Sequence, residues 1–79
     1  MYTIYVLRST VKKYTYVGFT DNLNRRLAQH NQGYNKSTKP YKPYKLIYSE
    51  NVETSREARI REKFLKSGKG REFIKQLNS

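Results

Sequence analysis

Five side chains in this sequence carry groups suited to work together on a phosphate: Tyr5, Tyr16, Arg26, His30 and Glu62. An arginine fork holds two nonbridging phosphate oxygens and offsets charge that grows in a transition state. A carboxylate such as Glu62 can hold Mg²⁺, a hard cation that keeps most of its waters and polarises a phosphate or stabilises a departing oxygen. Tyrosine, with an ordinary pKa of about 10, is a poor base at neutral pH unless cations favour its phenolate. A histidine can accept or relay the proton. The same residues also have a purely structural reading. Glu62 or a backbone carbonyl could satisfy Arg26, and His30 could be a packed, hydrogen-bonded histidine at the margin of an apolar stripe.

Whether these groups meet depends on the elements that carry them. Tyr2 to Leu7 and Tyr14 to Phe19 are rich in β-branched and aromatic residues, and the polar stretch from Arg8 to Lys13 suits a hairpin loop, so two antiparallel strands are expected. Side chains alternate along a strand. Placing Ile4, Val6, Val17 and Phe19 in the core therefore puts Tyr5, Tyr16 and Gly18 together on the opposite face. Gly18 would keep a side chain out of that face, although a strand glycine can equally mark a bulge.

Thr20-Asp21 offers an N-cap, Asn22 to Gln32 has helical content, and Gly33 suits the position just past a helix end. At about 100° per residue, Leu23, Arg26, Leu27 and His30 share one arc of about 100° while Arg25 points the other way. Arg25 is expected in solvent and Arg26 out of it. From Gly33 to Lys45 the chain reads GYNKSTKPYKPYK, a basic loop in which the two prolines disfavour helix. Lysines recur there every third residue, from Lys36 through Lys39 and Lys42 to Lys45, a period that any polyproline-II stretch would turn into one basic edge. Leu46 to Ser49 reads as a short third strand. Thr54-Ser55-Arg56-Glu57 matches a capping box and starts a second helix that runs to about Lys66 and is ended by Ser67-Gly68. A last short helix is expected from Gly70 to about Leu77. Ala58 and Leu65 lie side by side on the second helix, with Glu62 at the margin of their arc.

Composition narrows the partners. The chain has 79 residues, room for one domain with a small core, and no cysteine to staple it. Its longest apolar run, Ile4-Tyr5-Val6-Leu7, is far short of the roughly 20 residues of a membrane span. No basic-then-apolar leader precedes it, so a soluble, cytoplasmic protein is expected. Against 6 acidic residues stand 17 Lys plus Arg, for a net charge of +11 and a pI of about 10.1. Such an excess points to an anionic partner, most simply a nucleic-acid backbone whose counterions are released on binding. Eight tyrosines add faces on which bases could stack. The basic loop, with Lys36, Lys39, Tyr41 and Lys42, and the turn bearing Lys69 and Arg71 are the expected backbone contacts, with a solvated surface as the plain alternative. The Gly68-Lys69-Gly70 turn lacks P-loop spacing, so it is not read as a nucleotide site.

Taken in order, Thr3-Ile4-Tyr5, Tyr16-Val17-Gly18, Leu23 to His30 and Arg61-Glu62-Lys63 resemble the GIY-YIG nuclease superfamily over nearly the whole chain. The nearest likeness is to small single-domain bacterial members related to the UvrC N-terminal nuclease, the URI-type branch. The resemblance implies an α+β fold in the order β-β-α-β-α-α, a three-stranded antiparallel sheet flanked by helices, filling residues 1–79. It implies a Mg²⁺- or Mn²⁺-dependent endonuclease acting on DNA, with RNA as a further substrate class and repair or recombination as the setting. Its roles would fall on Tyr5 for deprotonating the attacking water and on Tyr16 for organising phosphate and water. Arg26 would stabilise the phosphate, His30 would assist proton transfer, and Glu62 would hold the single metal ion. Thr3 replaces the first glycine of the motif's name and Val17 its isoleucine, and Phe19 stands where some relatives carry a lysine. A late supporting asparagine is matched here only by Gln76 or Asn78. Relatives acting on defined DNA usually carry a targeting domain, so a targeting protein partner is expected, and the alternative is a catalytically weak or inactive nucleic-acid-binding module.

Overall fold

A computed structural model describes residues 1–34, 36 and 39–77. Strands β1 (Tyr2–Ser9) and β2 (Thr15–Thr20) form the hairpin, followed by helix α1 (Leu23–Gln32) and a single 3₁₀ turn at Lys39–Tyr41. Strand β3 (Tyr44–Val52) and helices α2 (Ser55–Leu65) and α3 (Gly68–Gln76) complete the α+β order expected from the sequence. The sheet is antiparallel with β1 in the middle, in the order β2-β1-β3. Among the described residues no helix is long and apolar enough to cross a membrane.

Both faces of the central strand are covered, which is why Ile4, Tyr5, Val6 and Leu7 are all buried in succession. Alternation sorts them. Ile4 and Val6 join Val17 with Ala58 and Leu65 of α2 and Ile74 of α3 in an apolar core, and Phe19 packs against it. Tyr5 and Leu7 join Tyr44 on the other face, where Tyr16 and the α1 residues Leu23 and Leu27 pack. The α2–α3 layer thus holds the sheet from one side while α1 seals the other.

The boundaries differ from the sequence reading where local capping decides them. Asn22, not Thr20 or Asp21, caps α1: its side chain accepts from the Arg25 amide at 3.0 Å, while the Thr20 hydroxyl accepts from the Asn22 amide. Strand β3 is longer than expected because it pairs with β1 from Tyr44 to Val52, with a register shift between Val6 and Leu7 that leaves Ile47 as the extra residue. Ser67 does not merely end α2. Its hydroxyl accepts from the Gly70 amide, so α3 starts at Gly68, earlier than expected. In the basic loop, the described stretch Lys39–Tyr41 is a 3₁₀ turn rather than polyproline II. Pro40 sits inside the 3₁₀ turn, where its missing N–H costs no ladder bond. That turn is tied down, since the Ser9 hydroxyl donates to the Tyr41 carbonyl at 2.6 Å and the Thr10 amide to the Pro43 carbonyl at 3.0 Å.

The two glycines around the α2–α3 junction have opposite demands. A Cβ on Gly70 would collide with the Phe64 carbonyl and the Leu65 backbone, whereas one on Gly68 would meet nothing within 4 Å. Gly70→Ala therefore overpacks the junction and is expected to cost about 1–3 kcal/mol, lowering Tm by about 4 °C or more. Gly68→Ala is expected to leave Tm unchanged or raise it by reducing unfolded-state freedom. Thermal unfolding of the two variants checks this, and equal melting temperatures would contradict the account.

Candidate functional site

On the α1 face of the sheet, strand pairing sets Tyr5 opposite Gly18. A Cβ on Gly18 would lie 2.7 Å from the Tyr5 hydroxyl oxygen and 3.0 Å from Tyr16 Cε1. The bare backbone is what lets the Tyr5 ring lie across β2, and the β1–β2 register is regular there, so no bulge is involved. The Tyr5 hydroxyl and His30 Nε2 share a hydrogen bond at 3.1 Å, both residues being 1% exposed. The Tyr16 ring centroid lies 4.7 Å from that of His30, and the Tyr44 centroid 5.9 Å from it.

Arg26, one helical turn before His30 on the same side of α1, completes the group. Its guanidinium hydrogen-bonds toward Tyr5 and, more weakly, interacts with Tyr16. Nη1 donates to the Gln29 side chain at 3.1 Å. Arg25 instead faces solvent and meets Asp21 at 3.3 Å, as the helical arc predicts. Burial pushes the Tyr5 phenol up to about 12 despite the opposing pull of Arg26. Burial, with Arg26 second, holds His30 below its ordinary value. The hydrogen bond to Tyr5 raises the affinity of Arg26 for its proton. At neutral pH the cluster is therefore one fixed cation beside a neutral phenol and a neutral imidazole.

Glu62 belongs to a different layer. It lies on α2, whose buried residues pack on the far face of the sheet, and its described ion pair is to Lys66 at 3.7 Å, with the Glu62 side chain 24% exposed. No contact between Glu62 and the tyrosine cluster is among those described. Its direction is nonetheless constrained. Arg61 binds Glu50 of β3 through two hydrogen bonds, at 2.9 and 3.0 Å. The next residue points about 100° further around the helix, on the flank toward the edge strand β2. A cleft of about 590 Å³ runs along that edge, and Tyr16 and Lys66 both line it. Glu62's partner thus opens onto the same cleft as one member of the cluster.

Among the described residues no group of three or more His, Cys, Asp or Glu is arranged to hold a metal ion. The described residues offer no closed protein cage. One carboxylate with partial solvent access suits instead a hard cation that keeps its waters and shares a phosphate ligand, as Mg²⁺ does.

The other residues singled out in the sequence are exposed or half-buried. Lys36, Lys39 and Lys42 are exposed; a Cβ on Gly33, at the C-terminus of α1, would lie 3.1 Å from Lys39 Cγ and 3.6 Å from Lys42 Nζ, so these two lie against the negative end of the helix. One face of the Tyr41 ring is taken by Tyr14, with centroids 4.0 Å apart. Lys69 and Arg71 are exposed on α3, Arg71 lining the edge cleft. Gln76 is exposed near the end of α3 in the α2–α3 layer, and Asn78 lies outside the described residues. Gln29 and Tyr44 were not expected at the site from the sequence. Gln29 had a signal, its place three residues beyond Arg26 on one helix face. Tyr44 had none, since only the pairing of β3 brings it to His30.

The sequence model of one family, the GIY-YIG catalytic domain, matches residues 1–78. The chain is 39% identical over 64 residues to a UPF0213 protein of Clostridium perfringens, covering 80% of this chain and 68% of that protein. A UPF0213 protein of Streptococcus pneumoniae is 40% identical over 67 residues, covering 84% of this chain and 67% of that one. The UPF0213 protein YazA of Bacillus subtilis is 40% identical over 52 residues, covering 65% and 52%. No solved structure is a significant match.

The two shifted groups give opposite pH dependences. Unfolding releases the Tyr5 phenol to its ordinary pKa of 10.0, so wild-type stability falls relative to Tyr5→Phe as pH rises from 10 toward about 12. Unfolded His30 takes up a proton near 6.5 that the folded protein resists, so stability is full above that pH and falls below it relative to His30→Gln. Denaturant melts across pH check both, and an ultraviolet phenol titration in which no tyrosine resists ionisation would contradict the first.

Proposed function

We propose that this chain, which belongs to the GIY-YIG family of nucleases, acts through one domain spanning residues 1–79 as a cytoplasmic, divalent-metal-dependent endonuclease on DNA, in repair or recombination. The observation that carries the reading is the junction of Tyr5, Tyr16, Arg26 and His30 on one face of the sheet. It is a half-buried cation set beside two buried proton-transfer groups, Tyr5 and His30. A phosphodiester oxygen beside the Arg26 guanidinium would be held by a charge that Gln29 keeps in place.

Proton transfer follows from the shifted groups. A phenol held protonated cannot take a proton from water unless it passes its own on. The bonded Nε2 of a neutral His30 is the acceptor we assign for it. As the water's oxygen bonds to phosphorus and the leaving oxygen departs, the water's proton goes to the Tyr5 oxygen and the Tyr5 proton to Nε2. The imidazolium so formed beside Arg26 is opposed by the same charge that depresses His30 in the free protein, and the anionic phosphate entering there offsets it. Tyr16 would orient the water and phosphate. Mg²⁺ or Mn²⁺ held by Glu62 would supply positive charge for the phosphate oxygens and the departing oxygen. Lys36, Lys39, Tyr41, Lys42, Lys69 and Arg71 would give contacts to the nucleic-acid backbone, and a targeting protein would bring the domain to its substrate.

The height of the Tyr5 pKa favours a second reading, a nucleic-acid-binding module that cuts DNA or RNA poorly because its phenol stays protonated. Nicking of supercoiled plasmid and of labelled branched and single-stranded DNA, with Mg²⁺, Mn²⁺ or EDTA, separates the two. Under the endonuclease reading EDTA abolishes cutting. Tyr5→Phe lowers the rate about 100-fold or more, and Arg26→Ala about 100- to 1000-fold. Glu62→Ala cuts only at raised metal concentration or not at all. Wild-type rates in Tyr5→Phe would sink the mechanism, and binding without any metal-dependent product would leave the binding module.

A further inference from the structure

The cleft along the β2 edge has a charge pattern that the catalytic reading does not use. Its cations come from four places in the chain: Arg8 at the end of β1, Lys13 in the hairpin loop, Lys66 just past α2, and Arg71 and Lys75 on α3. None of the described residues lining it is acidic. Arg8 Nε is buried and lacks a hydrogen-bond partner, a position in which a polar atom is normally satisfied. Like charges converge on one concave surface only at a cost, and here only Lys66 has a described carboxylate partner, Glu62. At about 590 Å³ the cleft is the size of a ligand pocket. Tyr16 lines it and also belongs to the cluster around His30.

We propose that this cleft holds the sugar–phosphate backbone of one nucleic-acid strand on one side of the bond to be cut, with Arg8, Lys13, Arg71 and Lys75 meeting successive phosphates and Tyr16 marking where the strand passes to Arg26. The placement beside a scissile bond rests on the endonuclease reading; the binding does not. Because the cleft presents five cations from four places in the chain, more than one phosphate can engage, and the occupant is a strand and not a lone phosphate. Lys66 sits where the strand reaches Glu62, so an arriving phosphate competes for its ammonium and loosens its hold on the carboxylate.

The test measures binding in EDTA, so that hydrolysis plays no part, by fluorescence anisotropy of labelled oligothymidylate and oligouridylate across a range of salt concentrations. Arg71→Gln/Lys75→Gln removes two exposed cations of the cleft, Arg8→Gln the half-buried one, and Arg56→Gln/Arg59→Gln two exposed cations at the start of α2 as a control for net charge. Circular dichroism confirms folding of each. The cleft variants are expected to lose affinity at least 10-fold more than the control. Their slope of log affinity against log salt should flatten by about 0.7 for each phosphate contact removed. Loss on oligothymidylate alone or on both probes tells DNA from a general phosphodiester site, and either supports the cleft. Cleft variants that match the control in affinity and slope overturn the proposal, whether or not the wild type cuts DNA. A wild type that cuts nothing while its cleft variants lose binding overturns the endonuclease reading and leaves the cleft in place.

Discussion

The Tyr5 ring lies across the neighbouring strand only because its partner there, Gly18, has no side chain; a methyl group would come within 2.7 Å of the phenol oxygen. That close approach sets the depth of the hydroxyl, and the depth sets the rest. It places the oxygen 3.1 Å from His30 Nε2, it leaves Tyr16 room beside the imidazole, and it gives Arg26 a polar neighbour under an otherwise apolar helix face. An arginine set among Leu23 and Leu27 is tolerable because of these oxygens and the Gln29 side chain.

The same burial creates a tension between stability and chemistry. A phenol and an imidazole that are both held neutral make a quiet, well-packed interior, and both resist the charged forms that proton transfer requires. An anion beside Arg26 would offset the part of that resistance which Arg26 adds to burial at His30.

Three layers divide the labour. α1 carries Arg26 and His30 and the strands β1 and β2 carry Tyr5 and Tyr16 on one face of the sheet, whereas Glu62 sits on α2, which packs on the other. The Arg61–Glu50 pair fixes the roll of α2, with two hydrogen bonds to a half-buried carboxylate, and so governs where Glu62 faces. Gly70 lets α3 press against the end of α2 and brings Arg71 and Lys75 to the cleft. Residues with no chemistry of their own thus decide which charges share a surface.

Much of this was legible in the chain itself. Alternation along β1 and β2 separated Tyr5, Tyr16 and Gly18 from Ile4, Val6, Val17 and Phe19, and the helical arc set Arg26 and His30 inward and Arg25 outward, because those periods are fixed by local backbone geometry. The capping residues Thr54 and Gly33 were readable for the same reason. What the sequence could not supply were facts that depend on which strand lies beside which. The extra residue at Ile47, the extension of β3 to Tyr44 and the approach of Tyr44 to His30 follow from pairing between segments more than thirty residues apart. The stack of Tyr14 on Tyr41 and the gathering of five cations at the β2 edge likewise depend on segments remote in the chain. Local periodicity determined which face each side chain takes; only the packed sheet and helices decided what stands across from it, since distance between remote residues is a property of the closed fold and not of any segment.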